Sequence, residues 1–192
     1  MSGAARRLGS LALLLALVAA PACGGGGGEA AAGSGGSPTP IAASFLPDQP
    51  SPAAGNAAMA QGSTANDIVT VTLTLTDTNG VLGTAFEVVY DPIHCAYMGF
   101  TKGSALEQGG DVPNYTIAVD PSNLGRVVAA IVRTSGNTTN VTGTRTMVGL
   151  QFRIKEAGTY PVTIENAVVY DGQPSPQPIP GILWFAGALK GV

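Results

Sequence analysis

Alternation with a period of two, repeated through the last two thirds of the chain, is what most narrows the folds open to it. Thr84, Phe86, Val88 and Tyr90 share one face of a strand, and Ala85, Glu87 and Val89 share the other. Val69, Val71, Leu73 and Leu75 alternate in the same way with Thr70, Thr72, Thr74 and Thr76. Val148, Leu150, Phe152 and Ile154 alternate with Gly149, Gln151, Arg153 and Lys155, and Tyr160, Val162 and Ile164 with Pro161, Thr163 and Glu165. Each such segment has one apolar face, which needs a second layer to cover it. The spacing therefore predicts a two-layer, all-β domain.

Breakers divide these runs. Asp91-Pro92 ends the strand at Tyr90, because Pro has no ladder donor and pushes the residue before it into an extended or turn geometry. A short apolar run over 95–100 follows, and Gly103 marks the bend after it. Residues 77–80 (Asp-Thr-Asn-Gly) read as a turn; they lack the further acidic ligands and terminal Glu of a calcium loop. Strands are predicted over 114–119 and 126–133, joined by 120–125, and the polar stretch 135–144 connects onward. Glu156-Ala157-Gly158 is a turn, 173–180 a Pro-rich loop, and 182–189 a closing strand buried on both faces.

The first third is different material. Arg6-Arg7, an apolar run over 11–18 too short to span a bilayer, and Ala20-Pro21-Ala22 form a secretory signal over 1–22. Between 23 and 66 Gly, Ala, Ser and Pro dominate and large apolar residues are few, so this segment is expected to be a disordered tether. The folded domain is then expected over 67–192, enough for one core and short for two. Cys23, followed by five glycines, looks like the acylated cysteine of a bacterial lipoprotein, with Ala20 where such signals usually have Leu. That resemblance implies lipid attachment at Cys23. Gly24 in place of Asp implies an outer-membrane lipoprotein facing the periplasm or the cell surface, plain secretion being the alternative.

The stretch 80–106 resembles the cohesin family, the β-sandwich receptor modules that hold dockerin modules in cellulosome-type assemblies. The residues that carry the likeness are Gly80-Val81, Phe86-Glu87-Val88-Val89, Tyr90-Asp91-Pro92, Cys95 and Gly103. It continues in register through LQFRIKEAGTYPVTIENAVVYDG to the C-terminus. The resemblance implies a nine-stranded jelly-roll β-sandwich, related in fold to carbohydrate-binding module sandwiches. It also implies a protein partner, dockerin-like or other, held across an outer sheet face. In register, the outward positions of that face are Gly83, Ala85 and Glu87, then Thr116, Ala118 and Asp120, then Ala129 and Ile131. Gly83 and Ala85 stand where many cellulosomal cohesins have an Asn and an Asp that read the dockerin. A flat patch of small apolar residues rimmed by Glu87, Asp120 and Arg133 is one reading of these positions. Packing of the alanines beneath the loop 173–180 is the other.

Catalysis is not expected. The single histidine, His94, lies in the turn after Pro92 and reads as an exposed turn residue, and no Gly-x-Ser-x-Gly elbow is present. The acids are scattered over turns and outward strand positions rather than paired, and a zinc set is lacking. No cofactor or metal is expected. Nine Lys and Arg face twelve Asp and Glu, and without Arg6 and Arg7 the excess of acid grows to five, so nucleic acid is not an expected partner. Cys23 and Cys95 sit in unrelated contexts, and Cys95 is expected to be a buried thiol. Polysaccharide is the alternative ligand. Tyr97, Tyr115, Tyr170 and Trp184 are the aromatics that could stack on sugar rings, their spacing giving no coplanar row.

Overall fold

The structure, a computed structural model, describes residues 40–192. The expected signal over 1–22, Cys23 and the first part of the expected tether lie outside the described residues. Ten strands and no helix make up the rest: β1 Ala43–Pro47, β2 Asn56–Ala65, β3 Ile68–Val89, β4 Cys95–Lys102, β5 Asn114–Asp120, β6 Asn123–Val132, β7 Thr139–Ile154, β8 Gly158–Asp171, β9 Leu183–Phe185 and β10 Gly187–Gly191.

β3 belongs to both layers. Its first half pairs with β2 and β7, and its second half, Gly83 to Val89, pairs with β6 and β8. One layer is then ordered β5-β6-β3-β8-β10-β1 and the other β4-β7-β3-β2-β9, every ladder antiparallel except β2 with β9. A straight strand of 22 residues would run about 70 Å, several times the radius of a domain of this size. It must bend, and it does so at three irregularities between Leu73 and Val81, where Asp77 (φ 38°) and Gly80 (φ 70°) enter the left-handed region. The expected turn over 77–80 is thus a bulged corner inside one continuous strand. Asp77 and Gly80 are the residue types that adopt positive φ at small cost, and that property also marks turns.

The inward faces meet as one core in which Phe86, Phe152, Met59, Leu73, Leu150, Ile131 and Leu189 are fully buried. Tyr90 meets Phe152 edge to face, with ring centroids 5.2 Å apart. Its hydroxyl donates to the Leu124 carbonyl oxygen at 2.7 Å, satisfying the one polar atom that it brings inside. The expected alternation at 84–90 is observed: Thr84, Phe86, Val88 and Tyr90 are buried, and Ala85, Glu87 and Val89 are half-buried on the outer face. Cys95 is the expected free, buried thiol. The all-β jelly-roll sandwich is therefore as expected.

Two expectations are corrected. The domain does not begin at 67, because β1 pairs with β10 and β2 pairs with β3 inside the stretch assigned to the tether. Phe45, Ala57, Ala58 and Met59 are all buried there. Small side chains and a complete backbone ladder let a segment of modest apolar content join a sheet that other residues have already made apolar. The strands number ten where nine were expected, with β1 and β2 added and the runs at 69–76 and 84–90 joined in β3. The single closing strand over 182–189 is likewise two strands, β9 and β10, which leave for different layers on either side of Ala186. A chain begun at Pro40 is expected to unfold in one cooperative urea transition. A chain begun at Asp67 is expected to show no such transition, since it loses three ladders together with Phe45 and Met59.

Candidate docking face

The outer face of the β5-β6-β3-β8 layer is built by strand parity. On β3 the outward residues are Gly83, Ala85, Glu87 and Val89, and across the ladder Gly83 faces Val132, Ala85 faces Ala130 and Glu87 faces Val128. β5 continues the rows, with Thr116 opposite Ala130 and Ala118 opposite Val128. On the other flank Gly83 faces Tyr170, Ala85 faces Val168 and Glu87 faces Glu165. Thr116 and Ala118 are exposed, and Ala85, Glu87 and Asp120 are half-buried at the same face, so these five expected positions come together.

Ala129 and Ile131 do not join them. They are 1% and 0% exposed and pair with Phe86 and Thr84, which point into the core. Since side chains alternate strictly, an error of one residue turns a whole strand inside out. The residues that β6 does present are Arg126, Val128, Ala130 and Val132, with Val128 and Val132 each 43% exposed. The run 127–132 is apolar on both faces and offers no alternation to read. Arg126 at its start was the available signal: a charged residue faces out, and residues two, four and six further on must follow it.

The rim also differs from expectation. Arg133 is buried, and its guanidinium donates to the carbonyl oxygens of Leu106, Gln108 and Asn137 while lying 3.3 Å from the Asp111 carboxylate. It staples the loops at 106–111 and 133–137 rather than lining the face. The rim charge is Arg126, paired with Glu87 and held 3.1 Å from Glu165; Asn166 adds a hydrogen bond of 3.0 Å to Glu87. Two acids share one guanidinium, so the cluster keeps an excess negative charge.

The loop over 173–180 stands at one end of the face and leaves its middle open. Pro176 joins Leu82, Gly83, Val132 and Tyr170 around an apolar hollow of about 160 Å³. A second hollow of about 290 Å³ lies between β5 and β6, over Ala118, Val128 and Ala130 and beside Pro121. The alanines therefore do not pack beneath the loop.

Other candidate chemistry is engaged in structure. His94 is half-buried rather than exposed: its Nδ1 is 2.6 Å from Asp91 Oδ2, and its ring stacks on Tyr160 with centroids 4.8 Å apart. The hydrogen bond from His94 holds the Asp91 carboxyl below the usual carboxylate range. The adjacent thiol, Cys95, is pushed up to about 11 by burial, which leaves no thiolate for a nucleophile. Among the described residues no three His, Cys, Asp or Glu side chains converge to hold a metal. Tyr97 meets Phe152 edge to face, Tyr115 stacks on Phe100, and Trp184 packs against Phe86. These rings serve the core and its margins, and with Tyr170 in the hollow they form no coplanar exposed row.

Comparison with known proteins bears on the family and the fold. The family model described as Cohesin domain matches residues 57–176. Among solved structures, the second type II cohesin module of an adaptor scaffoldin from Acetivibrio cellulolyticus aligns with a TM-score of 0.54 at 12% identity, covering 77% of this chain and 88% of that one. A type II cohesin–X-dockerin complex from the same organism gives 0.52 at 13% identity, with coverage of 75% and 95%. A type I cohesin–dockerin complex from Clostridium thermocellum gives 0.50 at 15% identity, with coverage of 66% and 85%. At such identities the likeness is one of fold. No curated protein matches the chain.

The Asp111 staple carries a pH signature. Hydrogen bonds from Ser135 and Thr134, with Arg133 nearby, push its carboxyl down to about 2 from an ordinary value of 3.8. A carboxyl lowered by folding stabilises the fold above its unfolded value, and that contribution fades as pH falls through the folded one. Asp111→Asn is expected to lower the midpoint of urea unfolding at neutral pH, the gap to the native chain closing as pH falls from about 3.8 to about 2.

Proposed function

This chain belongs to the cohesin domain family, and on that premise we propose that it is a non-catalytic docking module whose partner is a dockerin-like protein. The observation that carries the proposal is the largely apolar outer face of β5-β6-β3-β8, on which Thr116, Ala118, Val128 and Val132 are exposed and Ala85 is half-buried. A face of this kind, apolar at its centre and charged at its rim, has the composition of a modest protein interface. Two of the solved relatives are complexes of a cohesin with a dockerin, which supports the class of partner. Gly83 and Ala85 leave this chain without the polar pair with which many cellulosomal cohesins read that partner, so recognition here rests on apolar contact and on the Glu87–Arg126–Glu165 cluster.

We further propose that the domain is carried by an outer-membrane lipoprotein acylated at Cys23. The residues between Cys23 and β1 would supply reach from the membrane. Lipid gives location, and the sheet face gives selectivity.

Both parts are open to direct test. The full chain, immobilised and challenged with lysate of its own organism, is expected to retain a dockerin-bearing protein identified by mass spectrometry. Retention of the chain by insoluble polysaccharide instead would favour the carbohydrate reading. Ala85→Arg and Ala118→Arg place a large charged side chain at the centre of the face and are expected to weaken capture by about tenfold or more, the scale of an interface hot spot. Unchanged capture would move the interface elsewhere. Cys23→Ser is expected to abolish acyl incorporation and shift the protein from the membrane fraction to the soluble one.

A further inference from the structure

The docking face carries two unlike features at a fixed separation. At one end is the hollow around Gly83, whose lining of Leu82, Gly83, Val132, Tyr170 and Pro176 offers no polar surface. Gly83 lies in its lining where β6 comes close: a Cβ there would lie 2.6 Å from the Ile131 carbonyl oxygen and 3.2 Å from Val132, so a larger residue would force β6 to shift. Its volume of about 160 Å³ is close to that of the apolar cavities of about 150 Å³ that accept a benzene-sized guest. Four residues along β3 is the cluster in which Glu87 and Glu165 share Arg126. Asp120 adds a third carboxylate to the same side of the face, and Arg126 is the one cation at its outward positions, so the field there favours a positive partner.

Four strand residues span about 13 Å, and eight helical residues rise about 12 Å. The face lies over strands whose backbone groups are already taken up in ladders. A segment laid across it must therefore satisfy its own N–H and C=O groups, which a helix does and a lone extended strand does not.

We infer that the Gly83 hollow is the anchor site for a single leucine-sized side chain of the partner, set on a helix that carries an Arg or Lys about two turns away against Glu87 and Glu165. This deepens the docking reading and rests on the same open face. It replaces recognition through a polar pair by a hydrophobic knob and a cation at a defined spacing, and it makes Gly83, Val132 and Tyr170 the residues that select the partner.

The test uses a synthetic, end-capped, Ala/Gln-based helical peptide with one Leu and one Arg eight residues beyond it. It is titrated into the ¹⁵N-labelled full chain and followed by amide shifts. The expected result is saturable shifts at Gly83, Val132, Tyr170 and Glu87, with affinity falling about tenfold when the peptide Leu becomes Asn, when its Arg becomes Glu, or when the spacing is cut to four. Val132→Trp fills the hollow from an exposed position; it is expected to abolish the Leu dependence while leaving the rest of the spectrum in place. Glu87→Gln with Glu165→Gln is expected to remove the Arg dependence and its sensitivity to salt. A Leu→Asn peptide that binds equally well, or shifts that map away from Gly83 and Val132, would overturn the inference. The two readings fail separately. Ala85→Arg blocking dockerin capture while the peptide ignores the hollow would sink only the anchor site. A peptide that seats with Leu and Arg selectivity when the chain captures no dockerin-bearing protein would sink only the choice of partner.

Discussion

The whole domain hangs on a single strand that has to serve two layers. β3 is flanked by β7 and β2 along its first half and by β6 and β8 along its second, so four of the remaining strands take their register from it. The two halves can face each other only if the strand turns a corner without breaking its ladders. The irregularities between Leu73 and Val81 do this locally, with Asp77 Oδ1 accepting the Gly143 amide and Asn140 Oδ1 accepting the Gly80 amide. Side chains thus take over the backbone bonds that the corner leaves unmade, as buried or strained backbone requires. A straight β3 would leave Leu73 and Phe86 on separate surfaces instead of in one core.

Once β3 is placed, the functional face follows from parity and close approach. Phe86 and Val88 enter the core, so Ala85 and Glu87 must face out, and the partners across each ladder are sorted with them. Glycine decides how near the layers and loops can come. Gly125 sits against the Tyr90 carbonyl oxygen and Pro92, where a Cβ would have 2.7 Å. That contact lets the start of β6 close over the end of β3, and the Tyr90 hydroxyl bond to Leu124 locks it. The Asp91–His94–Tyr160 stack ties the next turn to the start of β8. These contacts tie together one end of the sandwich, and the docking face lies between that end and the Pro-rich loop.

The same economy explains why so little of the face is large. Ala118 and Ala130 line one shallow hollow and Gly83 the other, and each hollow is bounded by a residue that stiffens its wall, Pro121 in the first and Pro176 in the second. A preformed, proline-walled hollow loses little conformational freedom when a partner fills it, which is how a small apolar contact gains affinity. The charged cluster next to it is tied by Arg126 and Asn166 and is likewise set before a partner arrives.

Much of this was legible in the chain itself. Strict alternation at 69–76, 84–90, 148–155 and 160–165 determined an all-β, two-layer domain, because a period of two buries one face and no other element shares that period. The motif Tyr90-Asp91-Pro92, with Cys95 and Gly103 in register, pointed to the cohesin family for the same stretch that the sandwich is built on. Parity was plain where a charge sat within the alternation, as at Glu87, and was missed at Ala129 and Ile131, where both faces of the run are apolar and only Arg126 at its start marks the outward side. The stretch 43–65 was hidden because alanine and glycine weigh little in composition, while a ladder and a close fit count only once the neighbouring strands exist. Tertiary structure alone decided that 77–80 is a corner and not a turn, that Arg133 is a staple and not a rim, and that Gly83 lines a hollow. Each of these depends on which distant backbone lies within a few ångströms, and local order along a chain carries no record of that distance.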